Sequence, residues 1–239
     1  PTFGVIPCTA TFGTEPYSEQ PLMPTKKIEG LRSDGTLHMD HKLVIHKPIS
    51  KEGKLHLEKV ISAVYDRGEG KGAKINVDII AKDEAGDPVF TNTMGYLNRW
   101  AGGFGGPKVP HSTVVIPERE ADYEIKDAYP ENAPLLYRLT GDTYPLHADP
   151  AFAKKAGFDR PIVHGLCSLG YACRMMIDAL FPGEPERMVS IENQFRAVAL
   201  PGDHFTLHVW KTGENEALFR MVKDSDGKAI LDYGRMTWK

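Results

Sequence analysis

Alternating apolar and polar positions in two distant stretches predict two similar β-hairpins. The first, VDIIAKDEAGDPVFTNTMGYLN, begins at Val77, and the second, FRMVKDSDGKAILDYGRMTW, begins at Phe219. In both, β-prone runs flank a short turn that carries glycine at its fourth position. One constant shift along the chain aligns Lys82, Asp83 and Gly86 with Lys223, Asp224 and Gly227. The pattern therefore indicates an internal repeat.

Each predicted hairpin is preceded by further strand-like runs. In the first half these are LHMDHKLVIHKPIS and KLHLEKVISAVYD, and in the second half VSIENQFRAVALPGD and DHFTLHVWKT. Each half is therefore expected to contain three or more antiparallel strands.

A long apolar helix is predicted ahead of the second set of strands, in PIVHGLCSLGYACRMMIDALF. Only Arg174 and Asp178 carry charge within it, and Pro182-Gly183 ends it. The apolar positions that follow helical spacing are Leu166, Leu169, Cys173, Met176, Ile177 and Leu180. A helix that is apolar on most sides belongs in an interior, so we expect the strands to curl around it.

The two halves are not equally complete. No counterpart of the stretch from about residue 115 to 160 precedes Pro1, so we expect the chain to begin inside its first repeat. A Gly- and Pro-rich segment too long for an ordinary connection, NRWAGGFGGPKVPHSTVVIPEREADYEIKDAYPENA, lies between the halves. We place the boundary near Pro107, with an N-terminal repeat over 1–106 and a C-terminal repeat over 107–239.

Composition narrows the class of protein. The 239 residues are 41% hydrophobic, enough for a substantial core, and the net charge of -3 argues against a nucleic-acid partner. No apolar stretch approaches the roughly 20 residues of a membrane span, and PTFGVIPCTA does not resemble a signal peptide. The three cysteines form no CxxC pair, which favours a reducing compartment. We expect a cytoplasmic protein without a membrane partner.

The candidate chemistry lies in GDTYPLHADPAFAKKAGFDRPIVHGL, residues 141–166. Taken singly, Asp142 and His147 are ordinary turn residues, and Asp149-Pro150 is a good start for the short helix AFAKKAG. Pro145 restricts the chain between the acid and the imidazole, so both side chains can face one small molecule. An acid and an imidazole held together can orient a water and pass its protons.

Gly165 follows His164 and falls in the first turn of the long helix. Unpaired N–H groups and the positive dipole end there can hold a developing oxyanion, and a glycine lets a ligand approach closely. The alternative explanation for this glycine is close packing of the helix.

Other kinds of site find little support. GGFGG at 102–106 lacks the spacing of a dinucleotide loop and the GK[ST] ending of a phosphate loop. His147 and His164 have no HxxxH or Cys/His cluster beside them, so no metal site is predicted. Ser168 lies in HGLCSLG, which is not the GxSxG of a serine nucleophile.

The stretch YRLTGDTYPLHADPAFAKKAGFDRPIVHGL, from Tyr137, closely resembles the hydratase 2 motif of the MaoC-like (R)-specific enoyl-CoA hydratases. The paired halves and the GGFGG segment are similar to the two-repeat members of this family, such as the hydratase 2 domain of peroxisomal multifunctional enzyme type 2. The resemblance implies an α+β double hot-dog fold, two curved antiparallel sheets each around a helix, with a non-catalytic first repeat. In a eukaryote it also implies a peroxisomal location.

The resemblance also implies roles for residues. Asp142 and His147 would hold the catalytic water, the Gly165 N–H would bind the thioester carbonyl, and His164 and Tyr144 would contact the substrate. The implied reaction is reversible syn addition of water to trans-2-enoyl-CoA, giving (3R)-3-hydroxyacyl-CoA. It implies acyl-CoA as ligand, no cofactor beyond the CoA of the substrate, and no metal. We also expect a homodimer. Which of Asp142 and His147 is the base stays open at this level.

One position departs from the motif. The family usually has Asn in GDxNPLH, where this chain has Tyr144, and a phenol is larger and places its polar atom farther from the backbone. Two alternatives to the hydratase remain. One is a hot-dog acyl-CoA thioesterase, whose only acid on the long helix would be Asp178. The other is a non-catalytic acyl-CoA binding protein in which Tyr144 closes the water site.

Overall fold

The computed structural model describes residues 36–239, whose nine strands form a single antiparallel sheet. In chain order the strands are β1 (Thr36–Ile45), β2 (His56–Asp66), β3 (Ala73–Lys82), β4 (Pro88–Asn98), β5 (Tyr123–Ala128), β6 (Met188–Phe195), β7 (His204–Gly213), β8 (Glu216–Lys223) and β9 (Ala229–Trp238). Across the sheet their order is β2-β3-β4-β1-β6-β9-β8-β7-β5.

This order shows the repeat that the hairpin pattern predicts. Counted outward from the middle of the sheet, the first half has the order β1, β4, β3, β2 and the second half has the corresponding order β6, β9, β8, β7. The two halves meet between β1 and β6. At this seam the two strands pair antiparallel, with Leu43 opposite Ile191, and both side chains are fully buried. The seam joins the two halves into one continuous sheet.

Both predicted hairpins are confirmed. In the turn between β3 and β4, Gly86 has a φ of +88° and the Asp83 carboxylate accepts the N–H of Ala85 at 3.0 Å. In the turn between β8 and β9, Gly227 has a φ of +68° and the Asp226 carboxylate accepts the N–H of Lys228 at 3.2 Å. The left-handed backbone explains why glycine recurs at this position.

The predicted buried helix is also confirmed. The described part of the chain contains helices α1 (Ala133–Tyr137), α2 (Pro150–Lys155) and α3 (Gly165–Leu180), and α3 packs against β6, β7 and β9. Nine of its residues are buried. Within 36–239 no helix has the length and apolar character needed to cross a membrane. The helix expected inside the first repeat, and the incomplete start of that repeat, lie outside the described residues.

The GGFGG segment belongs to the connection between the halves, and the Asp66 carboxylate accepts hydrogen bonds from its backbone N–H groups. Asp66, the last residue of β2, accepts the N–H groups of Gly68 and Gly103 at 2.8 Å and that of Gly105 at 2.7 Å. These hydrogen bonds lower the pKa of the Asp66 carboxyl, and the one from Gly68 has the largest effect. Gly102 has a φ of +128°, and a Cβ there would lie 2.6 Å from the Gly68 carbonyl oxygen. The loop therefore ties β2 to the connection.

The seam yields a test of the two-half architecture. Ile191→Ala should lower the free energy of unfolding by about 2–5 kcal/mol, because it leaves a cavity where the two halves meet. Urea denaturation measures this loss. Val60→Ala removes a β-branched side chain that is 40% exposed on β2, so it should change stability by only about 0.5 kcal/mol or less. Equal effects of the two substitutions would contradict a tightly packed seam.

Candidate active site

The motif residues are positioned by a series of tight turns between α1 and α3. Gly141 has a φ of +118° and turns the chain after a short 3₁₀ segment, and the Asp142 carboxylate then accepts the N–H of Tyr144 at 3.3 Å. Pro145–His147 forms a further 3₁₀ turn. Asp149 caps α2 by accepting the N–H of Ala151 at 2.8 Å, as its place before Pro150 predicts. The turns fix where Asp142 and His147 lie.

The hydrogen bonding of His147 determines its tautomer. Its Nδ1 lies 2.9 Å from the backbone carbonyl oxygen of Ile162. A carbonyl oxygen can only accept, so Nδ1 carries the hydrogen and Nε2 of the neutral ring keeps a lone pair. Burial lowers the pKa of His147, against the opposing effects of the Ile162 hydrogen bond and the Asp142 charge. At neutral pH His147 is therefore a neutral ring whose Nε2 can accept a proton.

His164 lies behind this ring. The two imidazoles stack with centroids 3.7 Å apart and an angle of 25° between their planes. His164 Nε2 donates to the backbone carbonyl oxygen of Asp142 at 3.2 Å, which ties the start of α3 to the turn. Burial, and then the neighbouring His147, lower the pKa of His164 to about 3. His164 thus stays neutral and, through these two contacts, holds His147 and the backbone of Asp142 in place.

Gly165 is the first residue of α3 and is exposed, whereas the three residues after it are buried. The first N–H of an α-helix has no partner within the helix, so this donor is available to a ligand. A Cβ built on Gly165 would lie 2.9 Å from Cε1 of Phe195. The close packing expected for this glycine is therefore confirmed, since the helix start lies against Phe195 of β6, and its role as a donor to the substrate stays a prediction.

Tyr144 stands beside the pair. Its ring meets His147 edge-on at 6.1 Å and Phe152 edge-on at 5.4 Å between centroids. Burial, and then the Asp142 charge, raise the pKa of its hydroxyl, so the phenol is neutral at physiological pH. The ring forms part of the wall next to His147.

All five candidate residues, Asp142, Tyr144, His147, His164 and Gly165, line one cavity of about 610 Å³. The first half of the chain also lines this cavity, with His38, Met94, Tyr96 and Leu97 among the lining residues. Sequence reasoning named none of these four residues. The available signal was the pair of histidines in the predicted strand LHMDHKL.

Other reactive side chains near α3 are unsuited to nucleophilic chemistry. Ser168 is buried and its hydroxyl accepts a hydrogen bond from Tyr129 at 2.8 Å. Burial raises the pKa of the Cys167 thiol to about 12, which disfavours the reactive thiolate. Among residues 36–239, no group of three or more His, Cys, Asp or Glu is arranged to hold a metal ion.

Two family models match the chain. A "MaoC like domain" matches residues 112–231, and an "MFE-2 hydratase 2 N-terminal domain" matches residues 1–99. Together they span both halves.

Curated relatives carry related names. The chain is 35% identical to "Probable enoyl-CoA hydratase 2" of Dictyostelium discoideum, over 87% of this chain and 72% of that protein. It is 32% identical to "Enoyl-CoA hydratase ChsH3" of Mycobacterium tuberculosis, over 97% and 78%. It is also 32% identical to "Peroxisomal multifunctional enzyme type 2" of Mus musculus, over 97% of this chain but 30% of that protein.

Solved structures share the fold. A MaoC-like dehydratase from Phytophthora capsici superposes with a TM-score of 0.85 at 28% identity, over 99% of this chain and 82% of that one. The peroxisomal multifunctional enzyme type 2 of Drosophila melanogaster gives 0.79 at 27%, over 100% and 40%. A Mycobacterium tuberculosis protein described as a double hotdog gives 0.56 at 15%, over 98% and 80%. The predicted double hot-dog fold is confirmed, with the two predicted sheets joined into one where β1 pairs with β6.

The buried histidines predict a stability that depends on pH. Burial lowers the pKa of His41 to about 4 and that of His164 to about 3, below the ordinary value of 6.5. The unfolded chain therefore binds protons first as the pH falls below 6.5, and each histidine should cost up to about 1.4 kcal/mol per pH unit. Urea denaturation between pH 7 and pH 5 measures the slope.

Two variants test whether buried His41 contributes to this change of the free energy of unfolding with pH. His41→Leu should flatten it, whereas His204→Leu, which replaces an exposed ring, should leave it unchanged. A free energy of unfolding that stays constant from pH 7 to pH 5 in the unsubstituted protein would contradict buried neutral histidines.

Proposed function

The chain belongs to the MaoC-like hydratases with an MFE-2 hydratase 2 N-terminal domain, and we propose that Asp142 and His147 are the pair with which it adds water to trans-2-enoyl-CoA. It is a hydro-lyase, an (R)-specific enoyl-CoA hydratase that forms (3R)-3-hydroxyacyl-CoA. The observation that carries the residue assignment is the tautomer of His147, whose Nε2 is left as a proton acceptor on the cavity wall that also holds Asp142 and Gly165.

In the proposed reaction both hydrogens of one water can be followed. A water lies between the Asp142 carboxylate and His147 Nε2, and the carboxylate accepts one of its hydrogens. As the water oxygen bonds to the β-carbon, Nε2 takes the other hydrogen as a proton. The same proton then passes to the α-carbon, so one water supplies both the hydroxyl group and the hydrogen on the same face. His147 is thus the base in the hydration direction, and Asp142 orients the water.

Gly165 is assigned to the thioester. Bond formation at the β-carbon moves negative charge onto the carbonyl oxygen, and an N–H at the start of α3 can donate to it. The positive end of the helix dipole acts in the same direction. Because the charge is larger in the transition state than in the bound substrate, this donor favours reaction more than binding. A side chain at this position would take up space beside Phe195 where the thioester must approach.

The reaction so described changes no oxidation state overall and places its developing charge on a backbone donor, so we propose that no cofactor is needed beyond the CoA of the substrate. Acyl-CoA is the ligand. We further propose a homodimer, located in the cytoplasm or, in a eukaryote, in the peroxisome, as the name of the mouse relative indicates for that protein.

The alternatives receive less support from the site. A thioesterase that used Asp178 would need that carboxylate near the thioester, yet it lies near the far end of α3, is 63% exposed and pairs with Arg174 at 3.5 Å. A purely binding protein would need Tyr144 to exclude water from the pair. Its ring instead lies edge-on beside His147 and against Phe152 in the cavity wall.

The assignment of the pair predicts the kinetics of three variants. Asp142→Asn and His147→Ala should each lower kcat by roughly two to four orders of magnitude, the usual cost of losing a proton-transfer group. The double variant should be little worse than either single one, because the two residues act on one water. Asp159→Asn changes an exposed carboxyl of the same segment and should keep wild-type activity. The assay is the loss of enoyl-CoA absorbance, and activity within a few-fold of wild type in either single variant would contradict the assignment.

Tyr144 gives a separate prediction. If its ring only fills the wall beside His147, as its edge-on contacts indicate, Tyr144→Phe should keep kcat/KM within a few-fold and Tyr144→Asn should preserve or improve it. If the hydroxyl orients the water, Tyr144→Phe should lose about 1–3 kcal/mol of transition-state stabilisation. Measuring kcat/KM for the three proteins on one enoyl-CoA distinguishes these cases. An inactive wild type that the Asn variant restores would instead favour the binding protein.

A further inference from the structure

Four buried polar atoms without hydrogen-bond partners lie in one place at the seam of the sheet. They are Nε2 of His38, Nδ1 of His41, and Nδ2 and Oδ1 of Asn193, and none has a partner among residues 36–239. His41 is 1% exposed and Asn193 is 3% exposed. Buried polar groups are nearly always paired, because an unpaired one loses its hydration without compensation. These three residues, which we call the seam polar cluster, therefore need an explanation.

The sheet brings the cluster together. His41 on β1 lies directly opposite Asn193 on β6, so both side chains project from the same face. Residues three apart on a regular strand point to opposite faces, which would turn His38 away from His41. A shift of register between His38 and Asp40 interrupts the alternation, and the two rings lie 5.4 Å apart.

The cluster adjoins the cavity that contains Asp142 and His147. His38 lines this cavity. Its ring packs at 4.8 Å from Phe195 and 5.2 Å from Tyr96. Phe195 is also the ring that abuts Gly165, so it stands between the helix start and the cluster. Gly165, Phe195 and His38 line the same cavity, so an acyl chain whose thioester lies at Gly165 has a continuous space to the His38 side of the cluster.

The chemistry of the cluster suits a neutral oxygen. Burial lowers the pKa of His38 to about 3 and that of His41 to about 4, so neither ring supplies a positive charge for a carboxylate. His41 Nε2 donates to the amide oxygen of Asn92 at 2.8 Å, which leaves its Nδ1 as an acceptor. The Asn193 amide offers a donor and an acceptor. A hydroxyl group, which both donates and accepts, matches this set.

We propose that the seam polar cluster binds a hydroxyl group carried on the acyl chain, away from the thioester, and that the protein therefore prefers hydroxylated enoyl-CoA substrates over unsubstituted ones. The proposal rests on the proposed hydratase function. It assigns His41 and Asn193 to substrate selection. It assigns His38 to the part of the cavity wall that the acyl chain passes before it reaches them.

The test compares trans-2-enoyl-CoAs of one chain length, either unsubstituted or carrying one hydroxyl group at successive positions beyond the double bond. At least one hydroxylated isomer should show a kcat/KM about tenfold or more above the unsubstituted chain, the scale of a buried polar set gaining its partner. Asn193→Leu and His41→Leu should abolish the preference while retaining hydration of the unsubstituted chain. Gln194→Leu, which changes the next residue along β6, should keep the preference, since Gln194 faces the other side of the sheet.

A binding measurement separates recognition of the hydroxyl group from effects of the substitutions on folding or turnover. Saturated acyl-CoAs with and without the hydroxyl group cannot be hydrated, and calorimetry on variants that melt cooperatively should show the same tenfold preference in wild type alone. Equal values for every isomer in both measurements would overturn the proposal and indicate that a water fills the cluster, while the hydratase function would stand. No hydration of any enoyl-CoA, with hydroxylated acyl-CoA still bound preferentially, would instead remove the hydratase function and keep the cluster as a binding site.

Discussion

The hydrogen bond from His147 Nδ1 to the Ile162 carbonyl oxygen determines what this site can do. It fixes the tautomer, and it holds the ring flat against His164, which in turn binds the backbone of Asp142. The acid, the imidazole and the start of α3 are thereby connected through three short contacts. Burial keeps both imidazoles neutral, so the outer one is ready to accept a proton at the pH of a cell. Gly165 then places a free backbone donor in the same cavity.

The second constraint is the seam between β1 and β6. It makes one sheet of two halves, and it lets the half without the motif form a wall of the cavity. The division of labour follows from this arrangement. In the proposed mechanism the second half supplies the groups for water and thioester, and the first half supplies surface along which an acyl chain can lie. A half without the motif residues can therefore still contribute to the cavity.

The sequence predicts the site better than the cavity around it, for a physical reason. Asp142, His147 and Gly165 lie within a single stretch whose turns and helix start are set locally, by Pro145, by the Asp149 cap and by the apolar pattern of α3. The hairpins follow from alternation and from Gly86 and Gly227. The role of His38 and His41 depends on a register shift in β1 and on pairing with a strand about 150 residues away, and no local pattern encodes either. The stacking of His147 on His164 is likewise a tertiary contact between separate turns.

In the proposed reaction one water, held by Asp142 and His147, adds both of its parts to the same face of an enoyl thioester. Hydration of a trans-2-enoyl-CoA in D₂O, followed by NMR and chiral analysis of the product, tests it most directly. We expect a single (3R)-3-hydroxyacyl-CoA with deuterium at C2 on the face that received the hydroxyl group. A (3S) product, deuterium on the opposite face, or release of free CoA thiol would contradict it.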